Sequence, residues 1–347
     1  MPRSSLSRGV IPREMENRRR AGQRGREEPA GLPPLAKGMI MKAAVYDSFG
    51  GPEVLEVVEV PEPKMFADQV RIRIKAAALN PADLGFQAGA MDAMVDSFFP
   101  VIPGWDVAGI VAEAGIGTTG FKPGDEVIGF VRGPIQRYGS YAEQIAAEPR
   151  QLARKPANLD WGQAAGLPLA GLTAYQAVIN VLDVREGDTV LVHGAAGGVG
   201  HLAVQIAAAR GASVIGTASE SNHDYLRSLG VRPVAYGDGL ADRVRALAPA
   251  GVDAVLDTAG RGALAITQRI GTADVRAASV VYSGDYPGTV QVFARLDQAD
   301  LEALVELAEA GKLSVRVARS FPLDQAADAQ RLLAEGHSGG KIVLTVA

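Results

Sequence analysis

Between Met41 and about Gly166, apolar residues alternate with polar ones in short runs. Gln69-Val70-Arg71-Ile72-Arg73-Ile74-Lys75 is the clearest case: every second residue is apolar, the pattern of a strand with one face buried. Lys42 to Tyr46 and Leu55 to Val60 are further strands, the second ended by Pro61 and Pro63. Gly109 to Ala114 and Glu126 to Phe130 continue the series across the turn Phe121-Lys122-Pro123-Gly124-Asp125. Many short strands punctuated by Gly and Pro predict a small β-barrel.

From about Leu167 the rhythm changes to strand and helix in alternation, which predicts a parallel sheet. Thr189 to Val192 is a β-branched, apolar run suited to a buried parallel strand. Ala212 to Thr217, Pro233 to Tyr236 and Val252 to Asp257 are the next strands, and Ala277 to Tyr282 is read as the last. Helices are expected over Asn222 to Leu229, Asp242 to Leu247 and Asp300 to Ala310, the last stopped by Gly311. The tail adds a strand at Val315 to Ala318, a helix near Ala326 to Glu335 and a strand at Lys341 to Val346.

The stretch from Gly187 to Gln205 organises the second half. After the Thr189–Val192 strand comes a turn of small residues, Gly194 to Gly200. Val199, Leu202, Ala203 and Ile206 then recur at helical spacing, so a helix begins inside the turn and runs to about Ala209. Strand, glycine turn and helix together are the context in which a glycine pattern signals dinucleotide binding. The glycines let the backbone pass close to a pyrophosphate, and the helix N-terminus offers N–H groups and partial positive charge to it. Ala196, Gly197, Gly198, Val199 and Gly200 are therefore the candidate phosphate cradle.

Composition narrows the chemistry. Apolar residues make up 47% and charged residues 21% of the 347, as in ordinary globular proteins. There is no run of about 20 apolar residues, so no membrane-spanning helix is expected. No apolar leader is seen, so the cytoplasm is the expected compartment. The chain has no cysteine, which removes disulfides, thiolate nucleophiles and cysteine-ligated metals. Charge is uneven. Residues 1–40 hold nine Lys/Arg and four Glu, a net of +5, so the remainder carries −9 of the total of −4. That segment, with Arg18-Arg19-Arg20, Arg24 and Arg26, has no apolar periodicity and reads as a disordered basic extension. Interrupting acids and missing aromatics argue against a nucleic-acid arm, and the acids also argue against a transit peptide. Met39 or Met41 is read as the start of the fold.

The turn Ala195-Ala196-Gly197-Gly198-x-Gly200, preceded by Gly187-Asp188 and Leu191 and followed by Gln205, resembles the zinc-free quinone oxidoreductase branch of the medium-chain dehydrogenase/reductase superfamily. The resemblance covers most of the chain from Met41 onward. It departs at Ala208, where a basic residue is common. It implies an α/β fold: a doubly wound Rossmann parallel sheet at 167–311, and a GroES-like (chaperonin-10-like) catalytic barrel at 41–166 to which 312–347 return. It also implies a homodimer joined edge to edge through the cofactor-domain sheet, with Ala277 to Tyr282 as the candidate edge.

The same resemblance guides the choice of cofactor. An acid near the end of the second strand of such a sheet usually holds the ribose 2′-hydroxyl of NAD. Here the strand ends Thr217-Ala218-Ser219, which leaves room for a 2′-phosphate, as in NADP-dependent members. Tyr236 stands where similar proteins place a phosphate-contacting tyrosine. Glu220 beside Ser219, and the absence of Lys or Arg from there until Arg227, count the other way. Asn222 or His223 is a weaker donor. Ser219 and Asn222 also fit a plain helix N-cap. The balance favours NADPH. Thr173, in Gly171-Leu172-Thr173-Ala174-Tyr175, matches a family position near the nicotinamide carboxamide, and Thr258 follows a parallel strand on the cofactor side.

Zinc-dependent relatives carry a cysteine where Asn80 stands in Lys75-Ala76-Ala77-Ala78-Leu79-Asn80-Pro81-Ala82-Asp83-Leu84, and a histidine where Trp105 stands in Pro103-Gly104-Trp105-Asp106. Ala82 replaces a proton-relay hydroxyl. All four histidines lie outside 41–165, so the barrel has no N or S ligand set for zinc and no metal is expected. Hydride transfer by the nucleotide alone then suits a quinone or an α,β-unsaturated carbonyl, whose reduction gives a delocalised anion needing only hydrogen-bond donors. The Asn80 amide is the candidate donor. Asp83 either orients Asn80 or lines the pocket. Tyr141 is either a further donor or a packed structural tyrosine, and Tyr138 is another candidate. Trp105 is either core or an apolar wall for a planar ring. The loop from Gly85 to Phe99 is expected to shape the pocket. Two rival readings remain: an enoyl-thioester reductase, and a non-catalytic NADPH-binding sensor or structural protein.

Overall fold

Six parallel strands run side by side in the order Arg232–Ala235, Ser213–Ala218, Thr189–His193, Val252–Asp257, Gly271–Ser279 and Val290–Gln291. In chain order this is 3-2-1-4-5-6, so the direction of winding reverses between Thr189–His193 and Val252–Asp257, where sheets of this kind bind dinucleotides. The computed structural model describes residues 40–281, 286–336 and 338–347, within one unit, Ile40–Ala347. The basic segment at 1–39 lies outside them.

The strands form where expected because their residues are β-branched and buried on both faces: Val190, Leu191 and Val192 are wholly enclosed. The helix Gly200–Ala209 packs on them through Leu202, Ala203 and Ile206. Two close approaches require glycine. A Cβ at Gly200 would lie 2.1 Å from the Gly194 carbonyl oxygen and 2.9 Å from Ala195 Cα. Gly194 itself turns the chain at φ +71°, a left-handed conformation that side chains disfavour.

The second sheet has the order Val317–Pro322, Lys341–Thr345, Val70–Ala78, Asp106–Ala114, Glu126–Phe130 and Leu152–Arg154, with Gln144–Ala147 also paired to Val70–Ala78. The hairpin Ile40–Val45/Glu56–Pro61 joins it through Ala44 N–H, which donates to the Tyr141 carbonyl at 2.8 Å. The last segment of the chain thus returns to the barrel sheet, where Val343 pairs with Ala78. One apolar cluster runs continuously from the barrel (Ala76, Trp105, Phe130) through Leu172 to Val192 and Leu202 of the parallel sheet. Among the described residues, no helix is long and apolar enough to cross a membrane.

Two expectations need correction. Ala277–Tyr282 is not the outer edge: Ala278 and Ser279 pair with Val290 and Gln291. A two-residue strand after a loop carries too little periodicity to be seen in the sequence, and Tyr282 lies outside the described residues. The strand placed at Val315–Ala318 begins at Val317 and runs to Pro322, because Leu313 and Val315 are first drawn into the core.

Gly200→Ala should destabilise the protein by about 2 kcal/mol, since backbone atoms must move to admit the methyl group. Gly85→Ala, inside the helix Pro81–Gln87 with nothing within 4 Å of the added Cβ, should stabilise it by about 0.5–1 kcal/mol. Denaturant melts of the two variants should therefore shift in opposite directions.

Candidate cofactor and active site

The glycine turn is held from three sides. Gly194 N–H donates to Thr217 Oγ1 (3.1 Å) and Ala195 N–H to the Thr217 carbonyl (2.9 Å), both on the neighbouring strand. Thr258 Oγ1 donates to the His193 carbonyl at 2.7 Å, so this hydroxyl closes the reversal point of the sheet. Gly197 N–H folds back onto the Gly194 carbonyl (2.9 Å). The path from Ala196 to Gly200 carries only one side chain larger than a methyl, that of Val199, and opens onto the N-terminus of a ten-residue helix. A cradle of backbone bounded by such a helix end fits a pyrophosphate.

His201 ties this turn to the end of the chain. Its Nε2 accepts the Arg316 N–H at 3.2 Å, so the ring proton sits on Nδ1, which donates to the Gly197 carbonyl at 2.8 Å. Burial pushes the imidazole down to about 4, which keeps it neutral in this role. Gln205 repeats the tie one turn later: its Oε1 accepts both the N–H and the hydroxyl of Ser314, at 2.9 and 3.0 Å.

A buried polar centre lies next to the turn. Lys341 is enclosed, and its ammonium reaches Asn80 Oδ1 at 2.5 Å, the Leu79 carbonyl at 2.9 Å and Asp106 Oδ2 at 3.6 Å. Asp106 Oδ2 also accepts from Asn80 Nδ2 at 2.9 Å, and Asp106 Oδ1 accepts the Leu169 N–H at 2.7 Å. Every partner of Asp106 is a donor and every partner of Lys341 an acceptor, so the pair is carboxylate and ammonium. Burial works against both charges, raising the Asp106 pKa and lowering that of Lys341, and each opposes the other's shift. The Lys341 stem packs against the turn: a Cβ at Gly198 would sit 3.3 Å from Lys341 Cδ. On the other side Leu169 carries the centre to Thr173, whose hydroxyl donates to the Leu169 carbonyl at 2.7 Å.

Asn80 caps the helix Pro81–Gln87, where Pro81 fixes the first turn. Asp83 Oδ2 accepts the Asn80 N–H (2.8 Å) and the Tyr141 hydroxyl (2.9 Å). Burial raises the Asp83 carboxyl to about 7, opposed by those two donors and reinforced by the Asp106 charge. Tyr141 is wholly buried, with its pKa pushed well above the usual value by burial and then by Asp83. The roles expected of these side chains change accordingly. The Asn80 amide donates to Asp106 and, at 3.4 Å, to the Ala78 carbonyl, and the Tyr141 hydroxyl donates to Asp83, so both donors are already engaged within the protein. Buried carboxyl groups are the acceptors in both cases. Asp83 holds Asn80 through its backbone N–H, the contact that the orienting alternative calls for.

Trp105 is 9% exposed and packs edge-on against Phe86 (centroids 4.8 Å apart) and Phe130 (6.0 Å), so it is both core and backing for the half-buried Phe86. Tyr138 is 60% exposed under the Arg137 guanidinium and lies away from the centre's hydrogen bonds. At the other end of the turn, Asn222 Nδ2 donates to Ser219 Oγ at 3.0 Å, and neither side chain caps the helix His223–Ser228. Both residues do occupy N-cap positions, Ser219 of the turn Glu220–Asn222 and Asn222 of His223–Ser228, but without a side-chain capping hydrogen bond. Tyr236 is 57% exposed at the end of Arg232–Ala235. Lys341, Arg316 and His201 were not singled out from the sequence. The signal for Lys341 is a lysine leading the apolar run Ile342-Val343-Leu344, which reads as an exposed strand end until the fold buries it. Among the described residues, no group of three or more His, Asp or Glu is arranged to hold a metal ion.

Comparison with known proteins agrees with this architecture. Residues 67–157 match the alcohol dehydrogenase GroES-like domain, and residues 229–344 match a domain described as zinc-binding dehydrogenase. The NADPH-dependent alkenal/one oxidoreductase, chloroplastic, of Arabidopsis thaliana is 37% identical over 319 residues, covering 88% of this chain and 79% of that protein. The quinone oxidoreductase structure from Coxiella burnetii superposes with a TM-score of 0.78 at 33% identity, covering 89% of this chain and all (100%) of that one. A structure titled NAD-dependent alcohol dehydrogenase superposes with a TM-score of 0.81 at 34% identity, covering 88% and 100%. With a strand–glycine turn–helix unit, a returning C-terminal strand and relatives of this kind, the chain belongs to the quinone oxidoreductase branch of the medium-chain dehydrogenase/reductase superfamily.

Proposed function

We propose that this protein is an NADPH-dependent reductase that passes hydride to a quinone or an α,β-unsaturated carbonyl without a metal ion. The observation that carries the reading is the Lys341 side chain. Its stem lies on Gly198 of the phosphate cradle and its ammonium holds Asn80, so the nucleotide turn and the buried polar centre are one side chain apart. Bound NADPH would supply the hydride. The chain's own residues do the rest. Ala196 to Gly200 present backbone to the pyrophosphate, while Thr173, inside the helix Pro168–Tyr175, and Thr258, directly after the strand Val252–Asp257, are the residues assigned to the nicotinamide end. Phe86, backed by Trp105, offers a flat apolar surface to a planar substrate.

The residues at positions 80 and 105 also favour metal-free chemistry. An asparagine whose amide is already committed and an indole cannot ligate zinc. Without a Lewis acid the suitable substrates are those whose reduction spreads the new charge, as quinones and enones do. Enoyl thioesters share that property and are the neighbouring substrate class. Asn80, Asp83 and Tyr141 act as positioning residues: a chain of buried hydrogen bonds fixes the floor on which nucleotide and substrate meet. Assembly as a homodimer belongs to the same proposal. It is supported by the outer side of Gly271–Ser279, which is paired only at Ala278 and Ser279 among the described residues.

Three outcomes are expected. Steady-state NADPH oxidation should proceed with a simple quinone or a short enone and keep its rate after exhaustive chelation. No turnover with either class, or a rate that needs added zinc, would count against the reading. Lys341→Met should destabilise the fold by about 3–5 kcal/mol, because it strands a buried carboxylate. The double variant Lys341→Met/Asp106→Asn should recover much of that in a denaturant melt. Finally, Asp83 holds its proton up to about pH 7 when folded but only to about 3.8 when unfolded, so its stabilising contribution is complete below about 3.8 and is lost as pH rises through 7. Melting temperatures of wild type and Asp83→Asn should therefore diverge in favour of the variant across that window.

A further inference from the structure

In a sheet of this order the adenosine ribose lies over the end of the second strand, here Ser213–Ala218. The sequence places no cation within reach of that strand end, but the fold does. Arg316, on the returning C-terminal segment, sends Nη1 to Asn222 Oδ1 at 3.0 Å. Asn222 Nδ2 in turn donates to Ser219 Oγ, and Ser219 Oγ lies 3.0 Å from Ser221 Oγ. The guanidinium carbon sits 4.3 Å over the Tyr225 ring, which fixes the plane of the fork. The Tyr225 hydroxyl beneath is buried and has no hydrogen-bond partner among the described residues. Arg316 forms no ion pair among the described residues, and Glu220 is exposed and likewise unpaired.

We propose that Arg316 reads the 2′-phosphate of the nucleotide and selects NADPH over NADH, with Ser219, Ser221 and Asn222 as the neutral partners of the same subsite. The proposal rests on NADPH being the cofactor and names the residue that makes it so. A half-buried guanidinium paired only with a neutral amide has lost water without gaining an opposite charge. A phosphate monoester bearing nearly two negative charges offers the bidentate acceptor that its remaining N–H groups fit, and a ribose hydroxyl does not. The backbone of Arg316 is also fixed from both sides. Its N–H donates to His201 Nε2, and its carbonyl accepts the Lys341 N–H at 2.8 Å. The residue facing the 2′-phosphate is therefore braced by the His201 side chain and the Lys341 backbone, two residues that also reach the glycine turn, so the spacing between phosphate subsites is set by the fold.

The test is calorimetric titration of the full chain with 2′,5′-ADP and 5′-AMP, and with NADPH and NADH, for wild type, Arg316→Gln and Arg316→Lys. Thermal melts should show that the variants are folded. Wild type should prefer the 2′-phosphorylated member of each pair. Arg316→Gln should weaken 2′,5′-ADP and NADPH by about 10- to 100-fold, the span of a charge-assisted hydrogen bond, and leave 5′-AMP and NADH within about twofold. Arg316→Lys should fall between, keeping the charge without the fork. Equal losses for both members of a pair would make Arg316 merely structural, and no loss would remove it from the site; either result overturns the proposal. Wild type that binds NADH as tightly as NADPH would overturn the proposal while leaving nucleotide binding intact. Wild type that binds none of the four would overturn the cofactor reading along with it.

Discussion

The structure depends on a lysine and an aspartate that have both left water. Lys341 and Asp106 come from strands far apart in the chain, Lys341–Thr345 and Asp106–Ala114, and neither charge is tolerable in the core without the other. Asn80 sits between them and bonds both, so the loop after Val70–Ala78 is held as firmly as the strands. Asp106 further takes the Leu169 N–H, which anchors the start of the helix Pro168–Tyr175 and with it Thr173. One buried pair thereby sets the relation between the barrel sheet and the first helix leading to the parallel sheet. A pair of this kind adds little net stability over apolar residues of the same shape. It does fix geometry, because both Asp106 oxygens accept hydrogen bonds and the Lys341 ammonium donates to Asn80 and Leu79 in one arrangement.

A second constraint follows from the return of the chain. Ser314, Arg316 and Lys341 all reach the helix or glycine turn of the candidate nucleotide site: Ser314 through Gln205, Arg316 through His201, and Lys341 with its stem beside Gly198. The glycine turn is thus clamped on one face by the parallel sheet, through Thr217 and Thr258, and on the other by a segment that belongs to the barrel.

Much of this was legible in the residues. The alternation around Val70–Ala78 and the apolar run at Thr189–His193 gave both sheets, because each pattern reports the faces a strand buries. Glycine at 194 and 200 marked the turn, because only glycine tolerates its φ and its close approach. The partners of the polar side chains were not legible. Asn80 and Tyr141 looked like free donors, since nothing local reveals that Asp106 and Asp83 consume them. Arg316 and Lys341 sit 94 and 261 residues from Asn222 and Asn80, the side chains they meet, and such contacts follow from sheet topology, which spacing does not encode. The short strand Val290–Gln291 escaped for a different reason: two residues contain no period.

The account stands or falls on hydride passing directly from the nucleotide to an activated acceptor beside the Lys341–Asn80 centre. The most direct measurement is a single turnover of the chelated protein with NADPH deuterated at C4 of the nicotinamide and an enone, followed by mass and NMR analysis of the product. The account predicts one deuterium per product molecule, at the carbon β to the carbonyl and from one face of the nicotinamide only. Deuterium lost to water, deuterium at the carbonyl carbon, or no product until zinc is added would contradict it.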